Sequence, residues 1–244
     1  MTMSKFYRYI SKGFYSVRYE GSHLLLWRML QKSLAPLGEL GITSFCRKDL
    51  TQPLKEIRAK VDLNISQVTE DEIAQLAMLE AQDLDPQNLQ NPYSVQDIEE
   101  IIRKRMQQGA ICYVGKVGSE LVHHNWIFFH KVESHLGYTA NLSDHEAYFG
   151  ISFTPSEWRG NGIHGAVNNH MLSVLQQSGF RMVYTRVELD NVASKKGLQS
   201  VGWDFYGPLL YFISKQSDNV YRWEIRGPLD PFVPDHVRNK NSRK

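Results

Sequence analysis

At 244 residues, with 42% hydrophobic and 22% charged side chains, the chain has the composition of a soluble globular protein with room for one sizeable core. The formal net charge of +2 excludes a strongly basic or acidic class as a whole, although lysine and arginine outnumber acids eleven to four over residues 1–60 and the chain closes on RNKNSRK. The strongest apolar run, Leu24-Leu25-Leu26-Trp27, is far too short to cross a bilayer. Charges break MTMSKFYRYISKGFYSVRYE where a signal peptide would be apolar, so a cytoplasmic location is expected. Two distant cysteines, Cys46 and Cys112, without a C-x-x-C pattern, point to neither a disulfide framework nor a zinc cluster.

In the first sixty residues, aromatics (Phe6, Tyr7, Tyr9, Phe14, Tyr15, Tyr19) alternate with bases. They lead into HLLLWRMLQKSLAPLGELG, which reads as a helix ended by Pro36 and Gly38. Residues 1–60 are thus expected to form a basic, aromatic helical extension that docks its apolar face on the main domain; contact with an anionic membrane surface is the alternative, and no nucleic-acid module signature accompanies the charges. The main domain is placed at residues 61–228 and a basic C-terminal tail at 229–244. It opens with the strand LNISQV. TEDEIAQLAML follows as a helix with a Thr69/Glu72 capping box, and SVQDIEEIIRKRMQQG as a second helix started by Ser94 with Asp97 and stopped by Gly109. AICYVGKV and ELVHHNWIFFH, joined by a turn at Gly118, read as an antiparallel hairpin. KVESHLGYTANLSDH reads as a polar connection to the strand EAYFGISFT, and PSEWRGNG as a loop before a helix starting at Ile163. Then come the strand FRMVYTRVE, a short helix NVASKKGLQSVG capped by Asp190 or Asn191, and the strands WDFYGPLLYFIS and NVYRWEIRG.

Gly160 to Gly165 spells G-x-G-x-x-G at a helix start, where free backbone amides and the helix dipole suit a phosphate. A dinucleotide fold of the NAD type would run its strand almost directly into the first glycine and build a parallel sheet. Here Pro155 to Arg159 intervene and antiparallel-looking strands precede them.

The order of elements, with Arg159-Gly160-Asn161-Gly162-Ile163-His164 and the later spacing of Asn191, Ser194, Gly202 and Trp203, resembles the GCN5-related N-acetyltransferase (GNAT) superfamily over roughly residues 63–226. The resemblance implies an α/β fold of the α+β type, a mixed, mostly antiparallel central sheet flanked by helices, here with the N-terminal helical extension. It implies an acyl-CoA-dependent N-acyltransferase passing an acetyl or other acyl group directly to a primary amine of a small molecule, sugar or peptide, without a metal. Arg159, Gly160, Asn161, Gly162, Ile163 and His164 would hold the pyrophosphate, with Ile151, Ser152 and Phe153 on the pantetheine arm and Asn191 and Ser194 beside it. Glu146 is the candidate base, with Tyr148 and His124 as further catalytic candidates. Two positions depart from the pattern: His164 stands where the family carries a small residue, and Leu198 where many members carry a tyrosine that protonates the thiolate. They support the contrasting reading, a non-catalytic CoA-binding or assembly module. The sequence leaves oligomeric state open.

Overall fold

The computed structural model describes residues 22–83, 93–134, 136–217, 219–224 and 232–234. The aromatic and basic stretch before residue 22 and the closing RNKNSRK lie outside the described residues. Eleven strands and five helices follow in the order α1 (Ser22–Leu34), β1 (Gly38–Asp49), β2 (Asn64–Gln67), α2 (Ile73–Asp83), α3 (Val95–Gln107), β3 (Ile111–Val117), β4 (Glu120–Phe128), β5 (Lys131–Ser134), β6 (Tyr138–Asn141), β7 (Glu146–Phe153), α4 (Ile163–Gln177), β8 (Met182–Glu188), α5 (Val192–Ser200), β9 (Asp204–Ser214), β10 (Val220–Glu224) and β11 (Phe232–Pro234). Eight strands form one sheet in the order β10-β9-β1-β8-β7-β4-β3-β2, and β11-β6-β5 form a small second sheet. Among the described residues only β7 and β8 pair in parallel. All other pairs are antiparallel, which removes the parallel sheet required by the dinucleotide reading.

The helix starts follow the capping chemistry read from sequence. The Glu72 carboxylate accepts the Thr69 N–H at 3.1 Å ahead of α2. Ser94 and Asp97 exchange bonds of 2.6 and 3.2 Å at the start of α3. Helices α2 and α3 bury Ile73, Leu76, Ala77, Ile98 and Ile102 against Cys112, Val114 and Trp126. At their junction Glu80 is buried, accepting two bonds from Arg105 (2.9 and 3.0 Å) and one from Trp126 Nε1 (2.7 Å), so the desolvated carboxylate is fully engaged. On the opposite face α4 packs Ile163, Val167, Met171, Leu172 and Leu175 against Ile127, Phe149, Val183 and Val187.

Three expectations change. Residues 38–49 do not belong to a helical extension: β1 is a twelve-residue strand in the main sheet, antiparallel to both β8 and β9, so a boundary near residue 60 would cut through the sheet. The reason is burial on both faces, with Phe45 in one core cluster and Cys46 in another. Helix α1 does form and lies against β1, donating from Gln31 to the Leu40 carbonyl (2.9 Å). Leu25 and Trp27 are half-buried, but Leu26 and Leu30 face outward, and the side chain of Leu24 lies outside the described ones. The connection after β4 is not merely polar: β5 and β6 form a hairpin whose Leu136, Tyr138, Ala140 and Leu142 cover Phe45, Tyr184 and Leu209. Within the expected C-terminal tail, Phe232–Pro234 pairs with β6.

Candidate active site

Strands β7 and β8 pair only at Glu146↔Met182, Ala147↔Val183 and Tyr148↔Tyr184, and then part. The cause lies on the other edge of β7. Against β4, Asn125 faces Ser152 and Trp126 faces Gly150, so Ile151 is an extra residue without a partner. Its φ of +53° puts a β-branched side chain in the left-handed region, a strain on the order of 1–3 kcal/mol that pairing on both sides must hold. Such a bulge bends its strand. Beyond it a slot of about 220 Å³ passes between the strands, with Gly150, Ile151 and Ser152 on one wall and Thr185 to Glu188 on the other. The Thr185 hydroxyl spans the start of the gap, donating to the Phe149 carbonyl at 2.8 Å.

Alternation along the strands gives the slot two unlike mouths. On the α4 face it is lined by His164, Asn168, Asn191, Ser194 and Leu198. The opposite mouth carries Tyr148, Arg186 and Glu188. Asn191 caps α5 by accepting the Ser194 N–H at 3.0 Å, which fixes both residues at the rim. Burial pushes the Tyr148 hydroxyl and the Glu188 carboxyl above their ordinary ranges.

The glycine loop meets the first mouth. Gly160 (φ +84°) and Gly162 (φ +74°) make the turn into α4, whose first helical bond runs from the Ala166 N–H to the Gly162 carbonyl. The amides of Ile163, His164 and Gly165 therefore have no partner within the helix and point out of its start. Lys60, which the sequence presents only as one base among many, locks the loop. Its N–H donates to the Asn161 carbonyl (2.8 Å) and its ammonium to the Gly160 carbonyl (3.1 Å), setting a cation beside the amides. Arg159 takes a different place from the expected one: its Nε donates to the Thr154 carbonyl at 2.9 Å and its guanidinium lies over the Phe153 ring, in an open groove of about 630 Å³ with Asp83 and Ser156. Phe153 goes with it, outside the slot.

His164 is accommodated by a second irregularity. A Cβ at Gly197 on α5 would stand 3.2 Å from His164 Cδ2, so the helix carries a glycine where the imidazole lies. The ring meets His123 edge-on at 5.3 Å, and burial pushes its pKa down to about 4, leaving it neutral. Asn125 Oδ1, buried on the slot wall, has no hydrogen-bond partner among the described residues. No group of three or more His, Cys, Asp or Glu side chains suited to a metal occurs among the described residues.

Two catalytic candidates lie away from the slot. Glu146 stands at the closed end of β7, five residues before the bulge, and its carboxylate accepts the Ser143 N–H (2.9 Å) and the Tyr184 hydroxyl (2.8 Å). It secures the strand entry. His124 is fully buried on the α2 side beside Phe153, away from the slot, because β4 turns it to the face opposite His123. Glu188, which is not among the candidates read from sequence, is the carboxyl that reaches the slot.

The described residues form a mostly antiparallel sheet flanked by helices, a fold shared with solved GNAT acetyltransferases. No family model and no curated protein matches the sequence. Solved structures match the fold. A GCN5-related N-acetyltransferase of Sphaerobacter thermophilus aligns with a TM-score of 0.51 and 14% identity over 85% of this chain and 58% of its own. A functionally unknown conserved protein of Staphylococcus epidermidis gives 0.50 and 13%, over 73% and 63%. A ribosomal-protein-alanine N-acetyltransferase of Brucella melitensis gives 0.51 and 14%, over 66% and 96%. The chain thus spans about three fifths of the length of the first two. No helix among the described residues is long and apolar enough to cross a membrane.

Proposed function

We propose that the chain is an acyl-CoA-dependent N-acyltransferase that passes an acetyl or other small acyl group directly to a primary amine. The observation that carries this reading is the slot between β7 and β8, which joins the amide-bearing start of α4 to a mouth lined by Tyr148, Arg186 and Glu188. A pyrophosphate suits the Ile163, His164 and Gly165 amides with Lys60 alongside. The pantetheine amides suit the slot wall, where Asn125 Oδ1 accepts an N–H it otherwise lacks. The amine enters from the Glu188 side. As its nitrogen bonds to the thioester carbon, its proton passes to Glu188, held by burial nearer to neutral pH than an ordinary carboxyl, and the C–S bond then breaks. Tyr148, buried at the slot and kept protonated, gives the thiolate a proton in the role that Leu198 cannot fill and regains one from water at the slot mouth.

His164 and Leu198 both line the slot, and they favour a second reading in which acyl-CoA binds without turnover. One experiment separates the two. Protein is titrated with acetyl-CoA, longer acyl-CoAs and NAD by thermal shift, then mixed with a panel of sugar, peptide and small-molecule amines under thiol detection. The transferase reading expects stabilisation by acyl-CoA, none by NAD, and amine-dependent thiol release. Stabilisation without release from any amine supports the binding module, and no stabilisation by acyl-CoA removes both. Gly162→Val places a side chain at φ +74° against the Arg58 carbonyl and should abolish acyl-CoA binding while the circular dichroism spectrum stays close to native.

A further inference from the structure

Glu188 ends β8 at the slot, yet one of its neighbours comes from two strands away. Thr43 of β1 stands opposite Glu188, and Gly41, two residues earlier, stands opposite Tyr211 of β9. The Tyr211 ring lies across the backbone of Gly41. A Cβ there would be 2.2 Å from the ring Cζ and 2.3 Å from the hydroxyl oxygen, so only glycine lets the side chain cross β1. The buried hydroxyl thereby reaches 3.0 Å from Glu39 Oε1 and 3.4 Å from Glu188 Oε2. Glu39 is exposed.

A phenol has one proton for these two carboxylates. The shorter contact assigns it to Glu39, and the longer one becomes a hydrogen bond when Glu188 carries a proton of its own. Protonation of Glu188 is favoured by its burial and by the nearby charge of Asp190, and opposed by Arg186, 3.9 Å away, and by the hydroxyls of Thr43 and Tyr211. Tyr148 faces the same group from β7.

We propose that Glu188, Tyr211 and Glu39 form a proton exit route, in which the proton taken from the acceptor amine leaves the slot through the sheet to water at Glu39. This rests on the transferase reading above. Glu188 passes its proton to the Tyr211 oxygen as the Tyr211 hydroxyl proton moves to Glu39. Glu39 releases it to solvent, and rotation of the hydroxyl restores the start. No charge stays on Tyr211, and the relay needs no other reactant. Tyr211 and Glu39 act through Glu188 and are positioning residues. The N-terminal strand thus supplies part of the site, Glu39 and the bare backbone at Gly41.

The test compares wild type with Tyr211→Phe, Glu39→Gln and Glu188→Gln, using acetyl-CoA and the amine that gives most thiol release, from about pH 6 to about pH 9. For Tyr211→Phe and Glu39→Gln the expected result is unchanged acetyl-CoA affinity and amine KM, with kcat lower by at least about tenfold, a smaller solvent isotope effect, and recovery when imidazole buffer is added. A side chain that merely holds the fold would not be replaced by buffer. The proposal is overturned if both variants keep the wild-type rate and pH profile while Glu188→Gln is inactive, or if Glu188→Gln itself keeps the wild-type rate. Absence of acetyl-CoA binding or of thiol release in the wild type instead removes the transferase reading on which it stands.

Discussion

Replacing His124 should make the protein less sensitive to acid. The side chain is fully buried between β4 and α2, and this desolvation, outweighing the attraction of Glu80, pushes the imidazole from 6.5 down to about 4. In the unfolded chain it takes a proton below about pH 6.5; in the folded protein it does not until about pH 4. Its contribution to stability is therefore intact above pH 6.5 and is lost as pH falls towards 4. At about 1.4 kcal/mol per pH unit the whole loss is about 3 kcal/mol, of which about 2 kcal/mol is already gone at pH 5. His123 and His164 carry the same sign, whereas Asp83 and Glu188, raised by burial, gain stability in the same direction of pH. A difference between wild type and His124→Gln cancels those shared terms. Urea unfolding at about pH 7.5 and about pH 5 should show the variant losing about 2 kcal/mol less than wild type over that interval. Equal losses would refute the assignment of a buried neutral imidazole to this position.

Gly197→Ala alone should gain nothing, because the methyl meets His164, whereas in a His164→Ala background it should stabilise by about 1 kcal/mol through helix propensity, read from denaturation midpoints. Glu80→Ala strands Arg105 and unpairs Trp126 Nε1, and calorimetry or urea titration should report a loss of about 3–5 kcal/mol. A chain shortened to begin at residue 50 leaves β8 and β9 without the strand between them and should aggregate or elute as an expanded species; a compact, soluble product with native-like circular dichroism would show that the two strands can close directly.

Helices were the most legible part of this sequence because their signals are local: Thr69 with Glu72, Ser94 with Asp97 and Asn191 with Ser194 all make the expected caps. β1 was hidden for the opposite reason. Gly38 and Gly41 interrupt its alternation, and each is bare for a side chain of β9, Phe212 or Tyr211, about 170 residues further on. The hairpin of β5 and β6 did carry a signal, the spacing of Leu136, Tyr138, Ala140 and Leu142, masked by the polar letters between them. The glycine loop could be read directly, but whether Glu188 or Glu146 reaches the slot depends on which end of β7 leaves β8. No letter marks that end: the bulge falls on an isoleucine, a residue that propensity would keep out of a left-handed conformation. Lys60 had no mark either, since its task is set by carbonyls a hundred residues away.

The place of β1 also has a consequence for the order of events during synthesis. Its two partners end at Glu188 and Ser214, so during synthesis the strand leaves the ribosome well before either partner has been made. At ordinary elongation rates that delay is on the order of 10–30 s. Throughout it, Leu40, Ile42, Phe45 and Cys46 are exposed on a segment with both edges open, the kind of template that chaperones cover and that neighbouring nascent chains can pair with. When β1 finally enters, it joins the half of the sheet ending in β8 to the half beginning with β9. The step that closes the sheet also brings Gly41 beneath Tyr211.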